Sequence, residues 1–159
     1  MTSAAELGSQ SLVLLRLGDR RFAMLASQIA ELVPPSRVFR FPHHTATVEG
    51  VILRRGRIVP VCDVAGMLIG KSLLDRRFYL IAVRQFELKA EWIAIPVTGE
   101  CELISAELTP AGDTDAAYVG GWISHDGDVI EVLNIEALTP GPTRIPRIQP
   151  QLELQEVQS

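Results

Sequence analysis

Short apolar runs separated by turn residues are the main pattern along this chain, and they predict β-strands. The first run covers residues 11–17 and ends at Gly18-Asp19, after which a second run resumes, so a hairpin is predicted. Two further hairpins are predicted at Gly56 and at Asp126-Gly127, because these residues accept the positive φ of a tight turn. The chain is therefore expected to be mainly β.

Helices are expected to be few and short. Residues 26–32 have a helical pattern, and Pro34-Pro35 would stop it. Asp63 is placed to cap a short helix that Gly70 closes. The other apolar runs predict strands over residues 78–83, 92–95, 102–104, 121–123 and 129–133.

An internal repeat appears when the chain is compared with itself at an offset of 71 residues. Gly50 and Gly56 then coincide with Gly121 and Gly127, and the apolar positions around them also coincide. Each copy holds several short strands and is small for an independent core, which points to two small barrels packed together. The predicted organisation is a flexible leader (1–10), two interleaved barrel subdomains (11–139) and a Pro/Gln-rich tail (140–159).

Composition and charge exclude several classes of protein. No apolar run approaches the ~18–20 residues of a membrane span, and the first residues lack a signal-peptide pattern. The net charge of −4 argues against nucleic-acid binding. Residues 1–90 hold 13 Lys/Arg against 7 Asp/Glu, whereas residues 91–159 hold 2 against 12. A cytoplasmic protein with one basic and one acidic half is expected, and such polarity suits complementary partners.

Candidate catalytic groups do not converge in this sequence. Ser124-His125-Asp126 has the residue types of a triad, but consecutive strand residues point to opposite faces. His43-His44 lacks a spaced second pair of metal ligands. Cys62 lies in an apolar strand and is interpreted as a small buried hydrophobe. No catalytic residue, no metal site and no cofactor is expected, so a binding module is favoured over an enzyme.

One segment resembles a known family. Residues 50–64 read GVILRRGRIVPVCDV and are similar to the signature of the CheW family, the bacterial chemotaxis coupling proteins. That signature runs roughly G-V-I-N-L-R-G-x-I-V-P-V-x-D-L. The resemblance extends from the opening hairpin to the final apolar strand and its N-I-E-x-L helix, about residues 11–139. Among the departures from this signature, Leu53 stands where it has asparagine and Arg54 where it has leucine.

The resemblance implies a fold, partners and a set of interaction residues. The fold would be two five-stranded SH3-like β-barrels, and the protein would be a non-enzymatic scaffold at membrane-associated receptor arrays. Its partners would be the cytoplasmic tip of chemoreceptors and the regulatory domain of a CheA-type histidine kinase. The receptor- or kinase-binding residues implied by the motif, and by a groove between the barrels, are Arg55, Glu31, Ile29, Gly50, Val51 and Gly56.

Other interpretations stay open at this point. The motif departures favour a divergent system, such as a chemosensory pathway that controls type IV pili. An SH3-like barrel could also bind a small ligand or serve as an accessory domain of an enzyme. Neither the phosphotransfer and ATP-binding parts of a CheA kinase nor the receiver domain of a CheV protein is recognisable in these 159 residues. Arg55 is expected within reach of Glu31, and the pair would hold the shape of the groove.

Overall fold

The structure is a computed structural model that describes residues 9–40, 48–86 and 88–138. Strands dominate these residues, which confirms the mainly β prediction. The strands are β1 (Ser9–Leu17), β2 (Arg20–Leu25), β3 (Ile29–Val33), β4 (Phe39–Arg40), β5 (Val48–Arg54), β6 (Arg57–Cys62), β7 (Phe78–Phe86), β8 (Lys89–Val97), β9 (Glu102–Glu107), β10 (Thr109–Pro110), β11 (Val119–His125) and β12 (Asp128–Leu133). The helices are α1 (Ala65–Ile69), α2 (Ile135–Leu138) and one 3₁₀ turn (Ala26–Gln28).

The predicted turn residues adopt the conformations expected of them. Gly18 turns β1 into β2 with φ +62°. Asp63 accepts a hydrogen bond from the backbone N–H of Ala65 at 3.0 Å, and Gly70 ends α1 with φ +80°. Residues 26–32 are a correction to the sequence-based prediction. They form a single 3₁₀ turn followed by β3, because pairing with β7 provides hydrogen bonds that a short isolated helix could not supply.

The strands form two sheets whose orders match each other. One sheet runs β10-β11-β12-β2-β1-β9, and the other runs β3-β7-β8-β6-β5-β4. Each of β1–β6 corresponds to the strand six places later in the chain. When every strand is replaced by its counterpart, the order of one sheet becomes the order of the other, read in reverse. β5 and β11 are related by the 71-residue offset residue for residue, as are β6 and β12. The fold is therefore a pair of similar SH3-like barrels, the first built on the sheet of β3 and the second on that of β9.

The two barrels exchange hairpins. The β1–β2 hairpin belongs to the second barrel, where β2 lies parallel to β12 at Ala23 and Val132. The β7–β8 hairpin belongs to the first barrel, where β8 lies parallel to β6 at Ala94 and Val61. These two contacts are equivalent at the 71-residue offset. Each barrel thus takes one of its hairpins from the other half of the chain.

The largest apolar cluster lies between the exchanged hairpins. It combines side chains of β1 and β2 with side chains of β7 and β8, and each barrel has a smaller cluster of its own. Phe22 and Met24 join Leu80 and Ile93 in this central cluster, and all four are inaccessible to solvent. Burying a side chain of this size stabilises the folded state by about 1.5–3 kcal/mol. The central core therefore holds the two barrels together as one unit.

Candidate functional site

The site predicted from the motif centres on Glu31, and the structure places two arginines on it. Glu31 lies on β3, and the β5–β6 hairpin brings Arg54 and Arg55 to its carboxylate. Arg54 donates two hydrogen bonds of 3.0 Å, one from Nε and one from Nη2, to the two oxygens of Glu31. Arg55 donates from the same two kinds of atoms at 3.4 and 3.5 Å. The expected Glu31–Arg55 contact is therefore present, and Arg54 is the closer partner.

Sequence reasoning missed the role of Arg54. The signal is present in the sequence, because Arg54 stands where the family signature has leucine, but a departure from a signature does not by itself indicate a contact. A planar guanidinium that donates two parallel bonds matches a carboxylate better than a single contact does. Arginine in place of the signature leucine thus puts a second cation, beside Arg55, on the Glu31 carboxylate.

The two arginines stabilise the charged form of Glu31. Hydrogen bonds from Arg54, and then from Arg55, lower the pKa of the Glu31 carboxyl to about 2. Partial burial acts in the opposite direction and is outweighed. Since β3 and β5 lie towards opposite ends of their sheet, the contact also joins strands that are not neighbours in that sheet. The Glu31–Arg54 pair is therefore a side-chain clasp across the first barrel.

The backbone at Arg55 has an unusual conformation. Arg55 and Gly56 are the two central residues of the hairpin turn, and their φ values are +54° and +75°. Such a type I′ turn favours asparagine, aspartate or glycine at its first central position, and a long side chain there is strained. The Arg55 side chain is 66% exposed. Arg55 thus presents its guanidinium at a hairpin tip in a conformation that costs free energy.

Two other predicted residues support the hairpin from inside. Gly50 is buried beside β4, and a Cβ atom there would lie 2.6 Å from the carbonyl oxygen of Phe39. Glycine is required at this position because the strands approach so closely. Val51 is also buried and pairs with Phe39 across the strands, which leaves it little surface to offer. Ile29, which is half-buried, packs instead against the central core.

An ion-pair network fixes the other end of the hairpin. Arg76 donates hydrogen bonds to both carboxylate oxygens of Glu49 on β5, and to Asp63 at 2.9 Å. These contacts raise the pKa of Arg76. Asp63 in turn accepts bonds from the backbone N–H groups of Ala65 and Leu73. The segment after α1 is therefore tied to β5, and the hairpin projects from a fixed base.

The residues considered for catalysis in the sequence lie away from the Glu31 site, His125 at a hairpin tip and Cys62 in the interior. His125 contacts the carboxylate of Asp126 at 3.3 Å at the tip of the β11–β12 hairpin. Cys62 is buried as expected, and burial raises the pKa of its thiol to about 12. Within residues 9–40, 48–86 and 88–138, no group of three or more potential metal-ligating side chains is found, and no helix is long and apolar enough to cross a membrane. His43 and His44 lie outside the described residues, as do residues 1–8 and the predicted tail.

The fold and the clasped hairpin define a class of protein with paired SH3-like barrels, and comparison with known proteins agrees. The CheW-like domain family matches residues 11–143. A scaffolding CheW protein from Thermoanaerobacter tengcongensis, known from a crystal structure, superimposes with a TM-score of 0.70 at 18% identity. The superposition covers 89% of this chain and 96% of that one. This chain therefore belongs to the CheW-like family.

Curated relatives are similar along most of their length. A probable chemotaxis protein CheW from Rhizobium etli is 25% identical over 136 residues, which cover 82% of this chain and 88% of that protein. The chemotaxis protein CheW from Rhizobium meliloti is 24% identical over 152 residues, which cover 91% of this chain and 98% of the relative. The resemblance noted in the sequence is thus confirmed at the level of the family.

Proposed function

We propose that this protein is a non-enzymatic adaptor of a chemosensory pathway, which couples chemoreceptors to the regulatory domain of a CheA-type histidine kinase. Family membership and the names of its relatives support the pathway. The binding role is supported by the state of Arg55 at the hairpin tip. Its backbone is strained, its side chain is exposed and its hydrogen bond to Glu31 is long, at 3.4 Å. Strained residues that the surrounding structure holds in place concentrate at functional sites. In this proposal the protein acts in the cytoplasm at membrane-associated receptor arrays.

Arg54 and Arg55 have different roles in this proposal. Arg54 satisfies both oxygens of Glu31 at 3.0 Å, so the carboxylate does not depend on Arg55. Arg55 therefore retains donor groups for a carboxylate on a partner, and arginine is well suited to that contact. Glu31 and Arg54 keep the hairpin in position, whereas Arg55 contacts the partner. Gly56 contributes the second positive φ that the turn requires.

The apolar part of the proposed site lies near the junction of the barrels. Ile29 begins β3 and packs against the central core while remaining partly accessible. A helical receptor tip would place an apolar side chain there, in the manner of a helix bound in a groove. Val51 and Gly50 are buried, so in this proposal they shape the hairpin and do not contact the partner directly.

The proposal is tested by binding of the purified protein to two partners in separate experiments. One partner is the isolated regulatory domain of a CheA-type kinase, and the other is the cytoplasmic helical hairpin of a chemoreceptor. Arg55→Ala is expected to leave the fold intact and to weaken binding to at least one of them roughly tenfold, a loss within the range for an interface arginine. Arg16→Ala is the matched control, because Arg16 is an exposed arginine on β1 in the other barrel.

Two outcomes would contradict this proposal. If the wild-type protein binds neither partner, the adaptor role is wrong. If it binds both and Arg55→Ala binds as tightly as Arg16→Ala does, the adaptor role stands and the site is wrong. Salt provides a further check, because the opposite charges of the two halves of the chain predict faster association with the kinase domain at low ionic strength. A rate that is independent of salt would leave apolar contact as the driving force.

A further inference from the structure

One outer face of the second barrel presents a tryptophan. Trp122 and Ser124 on β11 lie opposite Glu131 and Val129 on β12, so these four side chains share one side of the strands. We call these four residues the Trp122 face. Trp122 is half-buried there and Val129 is 71% exposed. The residues that alternate with them, such as Ile123, point into the apolar cluster of the barrel.

Two cavities adjoin this face. One has a volume of about 350 Å³ and the other about 270 Å³, and both are lined by Trp122 and Val129. A hydrogen bond of 3.3 Å from the Trp122 indole N–H to Asp115 holds the ring in place. Two neighbouring hollows that share an aromatic ring suit an extended ligand with apolar side chains.

Carboxylates outnumber cations around these cavities. Four carboxylates and two guanidinium groups line them, namely those of Asp19, Asp128, Glu131 and Glu107 against those of Arg20 and Arg21. The arginines pair with Glu131 and Asp128, yet the Asp128 side chain is still 68% exposed. The surroundings of the Trp122 face therefore favour a ligand that carries positive charge.

Residues 140–150 of this same chain have the complementary composition. They hold four prolines and two arginines, Arg144 and Arg147, and no acidic residue. Proline-rich segments favour the polyproline II conformation, and aromatic-lined grooves recognise them at a low cost in entropy. Arginine is also well suited to pair with carboxylates.

The segment is long enough to reach the Trp122 face. Leu138, the last described residue before it, and Leu133, the end of β12, both belong to the central cluster. The six residues of β12 extend over about 20 Å. The eleven residues 140–150 would span about 34 Å in polyproline II conformation. They can therefore return along β12 as far as Val129, near its other end.

We propose that residues 140–150 dock on the Trp122 face of the same molecule in polyproline II conformation. The prolines pack against Trp122 and Val129, and Arg144 and Arg147 pair with the surrounding carboxylates. A docked segment covers the exposed part of Val129, so any partner that uses this face must displace it. This inference goes beyond the adaptor role and does not depend on it.

The equivalent face of the first barrel lacks this chemistry. At the 71-residue offset, Val51 stands at the position of Trp122, and Arg57 stands at the position of Asp128. An aromatic platform is therefore missing there, and Arg57 would repel the arginines of the segment. The second barrel is the one that fits residues 140–150.

NMR spectroscopy of the whole chain tests the docking, because the protein has two tryptophans and each indole N–H gives its own signal. Arg144→Glu combined with Arg147→Glu is expected to shift the signal of Trp122. The signal of Trp92, which lies on β8 in the first barrel, should stay in place. A Trp122 signal that does not respond to these two charge reversals would overturn the proposal.

A matched control and a dilution series complete this measurement. Glu153→Lys combined with Glu156→Lys reverses two charges beyond residues 140–150 and should leave the Trp122 signal unchanged. A shift as large as that of the arginine variant would reduce the effect to net charge and would contradict the docking. The wild-type signal should also be independent of protein concentration. A change on dilution would assign the contact to a second copy and would overturn docking within one molecule.

A synthetic peptide of residues 140–150 measures occupancy of the face, with the Trp122 signal as the readout. In the wild type the chain's own segment competes at a high effective concentration. The peptide should therefore bind the variant with Arg144→Glu and Arg147→Glu roughly tenfold more tightly than it binds the wild type. Equal affinity for the two chains would show that the segment does not occupy the face, and would refute the proposal.

Substitutions on the face test the same contact from the other side, with peptide binding followed by calorimetry in the chain that carries Arg144→Glu and Arg147→Glu. Trp122→Val introduces the residue that the first barrel has at this position and should abolish binding. Val129→Arg, at an exposed position, adds a cation to the face and should weaken binding at least roughly tenfold. Circular dichroism checks that each variant is folded. Unchanged binding in either folded variant would contradict the assignment of the face.

Discussion

Replacing Arg55 by asparagine is expected to make this protein more stable and less able to bind. Arg55 has φ +54° at the first central position of a type I′ turn. Left-handed backbone costs an ordinary L-residue roughly 1–2 kcal/mol, and asparagine reduces that cost through local hydrogen bonds. Asparagine followed by glycine is also the sequence that these turns favour most. The substitution therefore relieves the strain without altering the path of the hairpin.

Arg55→Asn removes only weak hydrogen bonds. The bonds from Arg55 to Glu31 are 3.4 and 3.5 Å long, and Arg54 keeps both carboxylate oxygens occupied at 3.0 Å. The free energy of unfolding is expected to rise by about 0.5–1 kcal/mol, within the usual range for optimising one local position. For a chain of this size the melting temperature should then increase by about 1–4 °C.

The measurement is thermal and urea unfolding of wild type and variant, followed by circular dichroism. Asp126→Asn is the matched control, because Asp126 occupies the same turn position in the second barrel with φ +52°. Aspartate already tolerates this conformation, so the control should change stability by less than about 0.5 kcal/mol. A lower melting temperature for Arg55→Asn, or an equal rise in the control, would refute the strain argument. Under the adaptor proposal the stabilised variant also binds its partners more weakly, so unfolding could not account for that loss.

The remaining predictions concern the close strand approach at Gly121 and the Glu31–Arg54 clasp. Gly121→Ala should lower the free energy of unfolding by about 1–3 kcal/mol, because the new Cβ would lie 2.7 Å from the carbonyl oxygen of Thr109. Gly120→Ala is the control, since its Cβ would meet no described atom closer than 3.5 Å, and it should leave stability nearly unchanged. Urea unfolding measures both. Arg54→Leu should raise the pKa of Glu31 from about 2 part of the way to its ordinary value of 4.5, as measured by carboxyl NMR titration, and an unchanged pKa would contradict the dominant role of Arg54. Because the folded-state pKa is depressed, the stability contributed by the clasp is present above about pH 4.5 and is lost as the pH falls towards 2.

Local sequence patterns predicted the hairpins well because each turn contains a glycine, the residue type that most readily adopts the backbone conformation of a tight turn. Gly18, Gly56 and Gly127 mark positions where φ must be positive, and the structure has positive φ at all three. The 71-residue repeat predicted paired barrels for a similar reason, since equivalent glycines recur where strands must come close. Gly50 and Gly121 both lie within such approaches.

Features that depend on distant parts of the chain were harder to predict. Residues 26–32 have the pattern of a short helix, but β3 forms there because β7 supplies a partner strand about 50 residues later. The Glu31–Arg54 pair was missed because its partners are 23 residues apart and the signature carries no cation at the second position. The parallel contacts of Ala23 and Ala94 leave no local pattern from which to infer which hairpin enters which barrel.

The exchange of hairpins has a consequence for synthesis on the ribosome. The sheet of β3–β8 is complete once Val97 has been made, but β1 gains its neighbour β9 only at Glu107 and β2 gains its neighbour β12 only at Leu133. The first hairpin to emerge is therefore among the last elements to find its full set of partners. Such long-range pairing slows folding and leaves apolar strand surface uncovered in the nascent chain. We expect that severing the chain between α1 and β7 would yield two fragments that fold only when mixed.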